Sequence, residues 1–252
     1  MTGVPLERLS FETDDGFGTR ARIGLVVLES DQTIEAEARM IDLDGVDFYH
    51  SRIPIEYEVT PETLTAMEAN LPGAAALLPK EFEFDVIGYG CTSAATLIGV
   101  DGIRRGIQSA HPGMTCTDPI SAAVAAFDAL GAKRIAVVTP YTAQVTEPIV
   151  AHFEQAGLHV TALGSFLESS DLVVARISED SIEAGARHIA AKAECDAVFI
   201  SCTSLRVLRR IETIEAATRV PVVSSNLALF WHLLRLAGID DHLDGFGKLL
   251  RI

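Results

Sequence analysis

The sequence predicts a parallel α/β protein made of two similar lobes, and three observations carry that prediction. Strand-like runs alternate with helical patterns along all 252 residues, which is the rhythm of parallel sheets with crossover helices. One phrase occurs twice, 111 residues apart: Phe84-Asp-Val-Ile-Gly-Tyr-Gly-Cys91-Thr92-Ser93 and Cys195-Asp-Ala-Val-Phe-Ile-Ser-Cys202-Thr203-Ser204. A second echo, Arg22-Ile-Gly-Leu-Val-Val-Leu against Arg134-Ile-Ala-Val-Val-Thr-Pro 112 residues later, extends the duplication beyond the cysteines. Two copies of an α/β unit place a ligand crevice at the carboxyl ends of facing strands.

Taken in chain order, the first strand spans residues 22–28 and the second 46–55. A helix follows over 60–71, opened by Thr60 and Pro61. Residues 84–90 form a third strand, and the chain after Cys91 reads as a helix. Met114-Thr-Cys-Thr-Asp-Pro matches Val222-Val-Ser-Ser-Asn in position and pattern, so the two segments are counterparts. A helix over 121–130 leads to strands at 134–139 and 158–165, and a helix over 178–193 leads to one at 196–201. After Cys202 a helix is expected with Leu205, Leu208 and Ile211 on its apolar side and Arg206, Arg209 and Arg210 solvated. Arg206 alone falls near enough to raise the potential at Cys202. A last strand covers 220–224.

Composition narrows the function. A net charge of −15 repels phosphate backbones and anionic lipid, so neither nucleic acid nor a membrane is expected as a partner. A small anion can still be held by local N–H groups. The N-terminus has no basic segment followed by an apolar core, and no apolar run approaches bilayer length, which points to a cytoplasmic protein. Cys91, Cys116, Cys195 and Cys202 lack CxxC spacing and read as reduced thiols. A symmetric homo-oligomer is the default expectation.

Cys116 and Cys195 fit inert core positions, because free cysteine is among the most buried residue types. Cys91 and Cys202 differ: each ends a strand, precedes two hydroxyl residues and is expected at a helix N-terminus, where the helix dipole and unpaired N–H groups lower a thiol pKa. Thr92, Ser93, Thr203 and Ser204 are the candidate holders of a substrate carboxylate. Tyr141, after the strand at 134–139, offers a hydroxyl. Ser225 and Asn226 read as caps of the helix that follows. The histidines are scattered, with no HExxH or zinc-spaced cluster, so no metal site is expected. Walker and GxGxxG fingerprints and a GxSxG elbow are absent as well, which argues against phosphate-bearing cofactors and an ordinary α/β-hydrolase.

These residues resemble the aspartate/glutamate racemase superfamily. Ile23-Gly-Leu-Val-Val, Gly90-Cys91-Thr92-Ser93, Thr139-Pro140-Tyr141, Gly164-Ser-Phe and Ser201-Cys202-Thr203 are similar to its maleate cis-trans isomerase and arylmalonate decarboxylase branch. The resemblance implies two Rossmann-like lobes about a pseudo-twofold axis, residues 1–111 with 221–252 forming the first and 112–220 the second. It also implies cofactor-free catalysis on a small carboxylic acid, with Cys91 adding to a double bond and Cys202 assisting. Racemases of the superfamily use both cysteines to move a proton across an α-carbon, whereas the decarboxylases retain only the second. A small-carboxylate binder without turnover is the alternative outside catalysis.

The chain departs from the isomerase pattern at Leu28-Glu29-Ser30-Asp31 and at Ser169-Ser170-Asp171, where acids replace amides. Those departures look more like the subgroup associated with ectoine utilisation. If Asp31 faces the pocket it sets substrate identity, because two like charges at ~4 Å repel by about 4 kcal/mol at an effective dielectric of 20.

Overall fold

A computed structural model describes residues 3–252 of the chain. Eight strands form: β1 Ala21–Leu28, β2 Val46–Ile53, β3 Val86–Gly90, β4 Cys116–Thr117, β5 Arg134–Thr139, β6 His159–Ser165, β7 Ala197–Ile200 and β8 Val222–Ser224. They make two parallel four-stranded sheets in the orders β2-β1-β3-β4 and β6-β5-β7-β8, the same order repeated. The central strands are buried along nearly their whole length, as continuous apolar runs require when helices cover both faces.

The first half contributes helices α1 Ile34–Ala38, α2 Pro61–Ala66, α3 Leu71–Ala75, α4 Thr92–Ile98, α5 Val100–Ala110 and α6 Pro119–Leu130. The second contributes α7 Ala143–Gln155, α8 Asp171–Val174, α9 Glu179–Ala190, α10 Ile211–Thr218 and α11 Ser225–Leu236. The single helix expected over 60–71 divides into α2, a 3₁₀ turn and α3. The helix expected from Ser121 starts earlier: the Asp118 carboxylate accepts the N–H groups of Ile120 and Ser121, and Pro119 occupies the first turn, where its missing N–H costs nothing. Its counterpart α11 is capped by Ser224, whose hydroxyl accepts from Leu227.

Strand β4 was not among the expected strands, although its counterpart β8 was; only two residues long, it leaves almost no pattern to read. The sheets also partition the chain differently from the expected segments. Strand β4 lies past residue 111 yet pairs with β3 of the first sheet, and β8 lies past residue 220 yet pairs with β7 of the second. The last strand therefore does not return to the first sheet; the last helix does. On α11, Phe230 meets Phe48 of β2 edge-on at 5.8 Å, and Leu233 packs over Gly88 of β3. Helix α6 makes the reciprocal crossing, with Phe127 against Phe153 of α7 and Phe199 of β7 at 5.9 and 6.0 Å. Each sheet is thus covered by a helix that follows the other, and the two sets of strand ends are held facing one another.

Phe199 is fully buried at the centre of that aromatic trio. Phe199→Ala is expected to remove about 3–5 kcal/mol of stability, read as a lower urea midpoint; a loss below about 1 kcal/mol would show that the trio does not hold the crossing helix.

Candidate active site

Cys91 and Cys202 line one cavity between the lobes, together with Ser93, Tyr141, Asp171 and Thr203. Leu28, Ile55, Val59, Leu64 and Met67 supply an apolar wall. The cavity has about 20 Å³, room for roughly one water. Its mouth is shut by two loops that pair across the cleft. Val59 N–H donates to the Ser169 carbonyl at 2.9 Å, Asp171 N–H donates to Tyr57 at 3.2 Å, and Glu58 and Ser170 form an antiparallel bridge.

The two cysteines are not equivalent. Cys91 ends β3 with extended backbone and caps α4, where the Ala94 N–H and the Ser93 hydroxyl, 3.6 Å from its sulfur, face the thiol. Cys202 is not at a helix N-terminus: residues 203–207 turn, a 3₁₀ segment occupies Leu208–Arg210, and α10 begins only at Ile211. Cys202 adopts φ +105°, a backbone region that non-glycine residues occupy at a cost of about 1–3 kcal/mol. Its N–H donates to Ser225 Oγ at 2.9 Å, and its sulfur accepts from the Ser204 N–H at 3.4 Å. Arg206 is exposed and donates to the Ile177 carbonyl instead of approaching the thiol.

The expected lowering of the thiol pKa values is reversed. Burial pushes Cys91 up to about 11 despite the Ala94 and Ser93 contacts, with Asp171 and Asp31 adding to the rise. Burial and Asp171 push Cys202 higher still, against the opposing effect of the Tyr141 hydroxyl. Dipole and N–H groups stabilise thiolate, but removal from water outweighs them here. Tyr141 is buried, and its hydroxyl meets both Cys202 and Ser93.

The remaining expected site residues divide. Ser93 and Thr203 line the cavity; Thr92 and Ser204 do not. Thr92 donates to Ser225 Oγ at 2.7 Å, Thr203 to the Gly90 carbonyl at 3.2 Å and Ser204 to Asp171 Oδ1 at 3.2 Å. Asp31 is buried but does not line the cavity. Its Oδ1 accepts from Thr33 and Ile34 at the start of α1, its Oδ2 has no partner, and burial raises its pKa to about 6. The acid at the cavity wall is Asp171, which accepts from Ser30 of the first lobe and Ser204 of the second.

Ser225 and Asn226 do not cap α11; they tie the lobes together. Asn226 donates to the Thr203 carbonyl at 2.9 Å and to Glu37 at 2.8 Å, and Glu37 also accepts the N–H groups of Val207 and Leu208 at 2.7 and 2.9 Å. Nothing in the sequence around α1 separates this buried acid from its half-buried neighbour Glu35, which pairs with Arg52. Among the described residues no group of three or more His, Cys, Asp or Glu is placed to hold a metal ion.

Two similar α/β lobes each present a cysteine to one shared cleft. The arylmalonate decarboxylase family model matches residues 23–250, and the chain belongs to that family. Maleate isomerase of Nocardia farcinica is 31% identical, covering 91% of this chain and 95% of its own. A solved structure of maleate cis-trans isomerase from that organism, a cysteine-to-serine mutant with a covalently bound succinylcysteine intermediate, superposes with a TM-score of 0.83 at 27% identity, over 92% of this chain and 98% of its own. Arylmalonate decarboxylase of Bordetella bronchiseptica is 32% identical over 54% of this chain and 58% of its own. Among the described residues no helix is long and apolar enough to cross a membrane.

Two outcomes follow from the electrostatics. Alkylation of Cys91 by iodoacetamide, read by peptide mass, rises about tenfold per pH unit between about 7 and 9; a plateau within that range would mean a thiolate already formed. Burial holds Glu37 at about 7 against an ordinary 4.5. Between those values the folded chain keeps a proton that the unfolded chain has lost, so stability falls as pH rises, by up to about 3 kcal/mol. Glu37→Gln is expected to flatten that decline in urea midpoints; an unchanged slope would place the proton elsewhere.

Proposed function

We propose that the protein is a cofactor-independent isomerase that converts a small cis-unsaturated carboxylic acid to its trans form through Cys91 and Cys202, with maleate to fumarate as the reference reaction. The reading is carried by one observation: two buried thiols from the two lobes line the same cavity. Cys91, the less strongly raised of the pair, is the nucleophile. Its thiolate, formed by loss of the thiol proton to solvent, bonds to one alkene carbon, and the alkene electrons move to the neighbouring carbon and its carboxylate. Cys202, held more firmly as a thiol, gives its proton to that carbon. The product is a sulfur-bound, saturated acid whose former double bond rotates freely. Cys202 thiolate then removes a proton from the same carbon, the alkene re-forms in the trans geometry, and the carbon–sulfur bond breaks to regenerate Cys91. No atom is gained or lost over the cycle.

Ser93, the Tyr141 hydroxyl and Thr203 hold the reacting carboxylate and the charge that develops on it, in a cavity that admits little water. A racemase would also need thiols on opposing walls, and a decarboxylase needs one acid to protonate one face. Substrate turnover in deuterium oxide, followed by NMR, separates the three. Cis-to-trans conversion without loss of carbon dioxide is expected. Exchange and loss of chirality at a saturated α-carbon would establish a racemase instead. Cys91→Ser and Cys202→Ser are each expected to lower kcat by at least about 10³; full turnover by either variant would rule out a two-thiol mechanism.

A further inference from the structure

We propose that the cleft is built for a monocarboxylate whose far end carries a hydrogen-donating nitrogen, a carboxamide or an ammonium group, and that Asp171 receives it. The inference rests on the isomerase reading for the location of the site and extends it to the substrate. Among the described residues, the charged ones lining the cavity are both acids, Glu56 and Asp171, and no lysine, arginine or histidine lines it. Asp171 is buried to 4% exposure, and its hydrogen-bond partners are the uncharged hydroxyls of Ser30 and Ser204. A carboxylate offers about four acceptor positions, so two hydroxyls leave it with unmet capacity at the cavity wall.

A second buried acid stands nearby. Asp31 has one oxygen committed to the start of α1 and the other, Oδ2, without any partner. Both acids act on the Cys91 thiol, so their charge is felt where the substrate reacts. Arg52 acts on Asp31 from outside the cavity and does not line it: its guanidinium donates to the carbonyls of Leu28, Glu29 and Asp31 and pairs with Glu35. A dianion in this cavity would bring two further negative charges with no cation to meet either. A nitrogen donor at one end reverses that contact, because its N–H groups point at an acceptor left open. The other end keeps a carboxylate for Ser93 and Tyr141.

Binding of saturated, unreactive analogues to the intact protein tests this independently of turnover. Succinate is the dianion, succinamate the half-amide and 4-aminobutanoate the ammonium form, each titrated by calorimetry. Succinamate or 4-aminobutanoate is expected to bind at least tenfold more tightly than succinate, and which of the two does so identifies the nitrogen. Asp171→Asn is expected to shift the ratio at least tenfold toward succinate. Preference for succinate, binding of none of the three, or an unchanged ratio in a folded Asp171→Asn overturns the proposal; if that variant does not fold, the wild-type ratio alone decides. Incubation with maleate and maleamate keeps the two readings apart. Isomerisation of neither, with the amide or ammonium analogue still preferred, removes the isomerase reading and leaves the substrate class. Isomerisation of maleate at least as efficiently as maleamate leaves the isomerase and overturns the substrate class.

Discussion

A carboxylate buried between the lobes holds the second thiol in place. Glu37, on the short helix α1 of the first lobe, accepts the N–H groups of Val207 and Leu208 in the second and one N–H of Asn226. Asn226 in turn holds the Thr203 carbonyl, beside the strained Cys202. An acid taken out of water must be met by donors or remain protonated. Here those donors come from the segment that positions Cys202, so the same bonds satisfy the acid, close the interface and fix a backbone geometry that a free loop would abandon.

The crossing of α6 and α11 has a related effect at larger scale. Each helix follows one sheet and packs its apolar face on the other, so neither lobe completes its core alone. Facing strand ends are therefore a property of the core. That rigidity suits chemistry in which two thiols address one carbon pair. The loops that pair across the mouth, 55–59 and 168–171, are joined by few bonds and carry Ile55, Val59 and Asp171 of the cavity lining.

Burial also divides the labour of two chemically identical groups. Both thiols are raised, but Cys91 keeps the Ala94 N–H and Ser93 beside it, while Cys202 sits closer to the influence of Asp171 and lacks a helix terminus. A duplicated phrase thus yields a nucleophile and a proton donor, because the surroundings were not duplicated with it. Thr92 and Thr203 diverge in the same way, one binding Ser225 and the other the Gly90 carbonyl.

The sequence by itself determined the parallel α/β class, the repeat, and the two cysteines and Tyr141 as neighbours, because apolar runs and residue order are local patterns that survive in one dimension. It read Asp171 as a departure and Glu37 not at all. Glu35 and Glu37 sit two places apart on the same short helix, and only the partner lobe leaves one half-buried and buries the other. Whether Cys202 would head a helix was likewise undecided locally, since Glu37 supplies the acceptor that the Val207 and Leu208 N–H groups of the turn require. Tertiary structure decided the sign of the thiol pKa shifts as well: the pull of a helix terminus can be read from spacing, whereas the stronger effect of desolvation depends on what closes over the site.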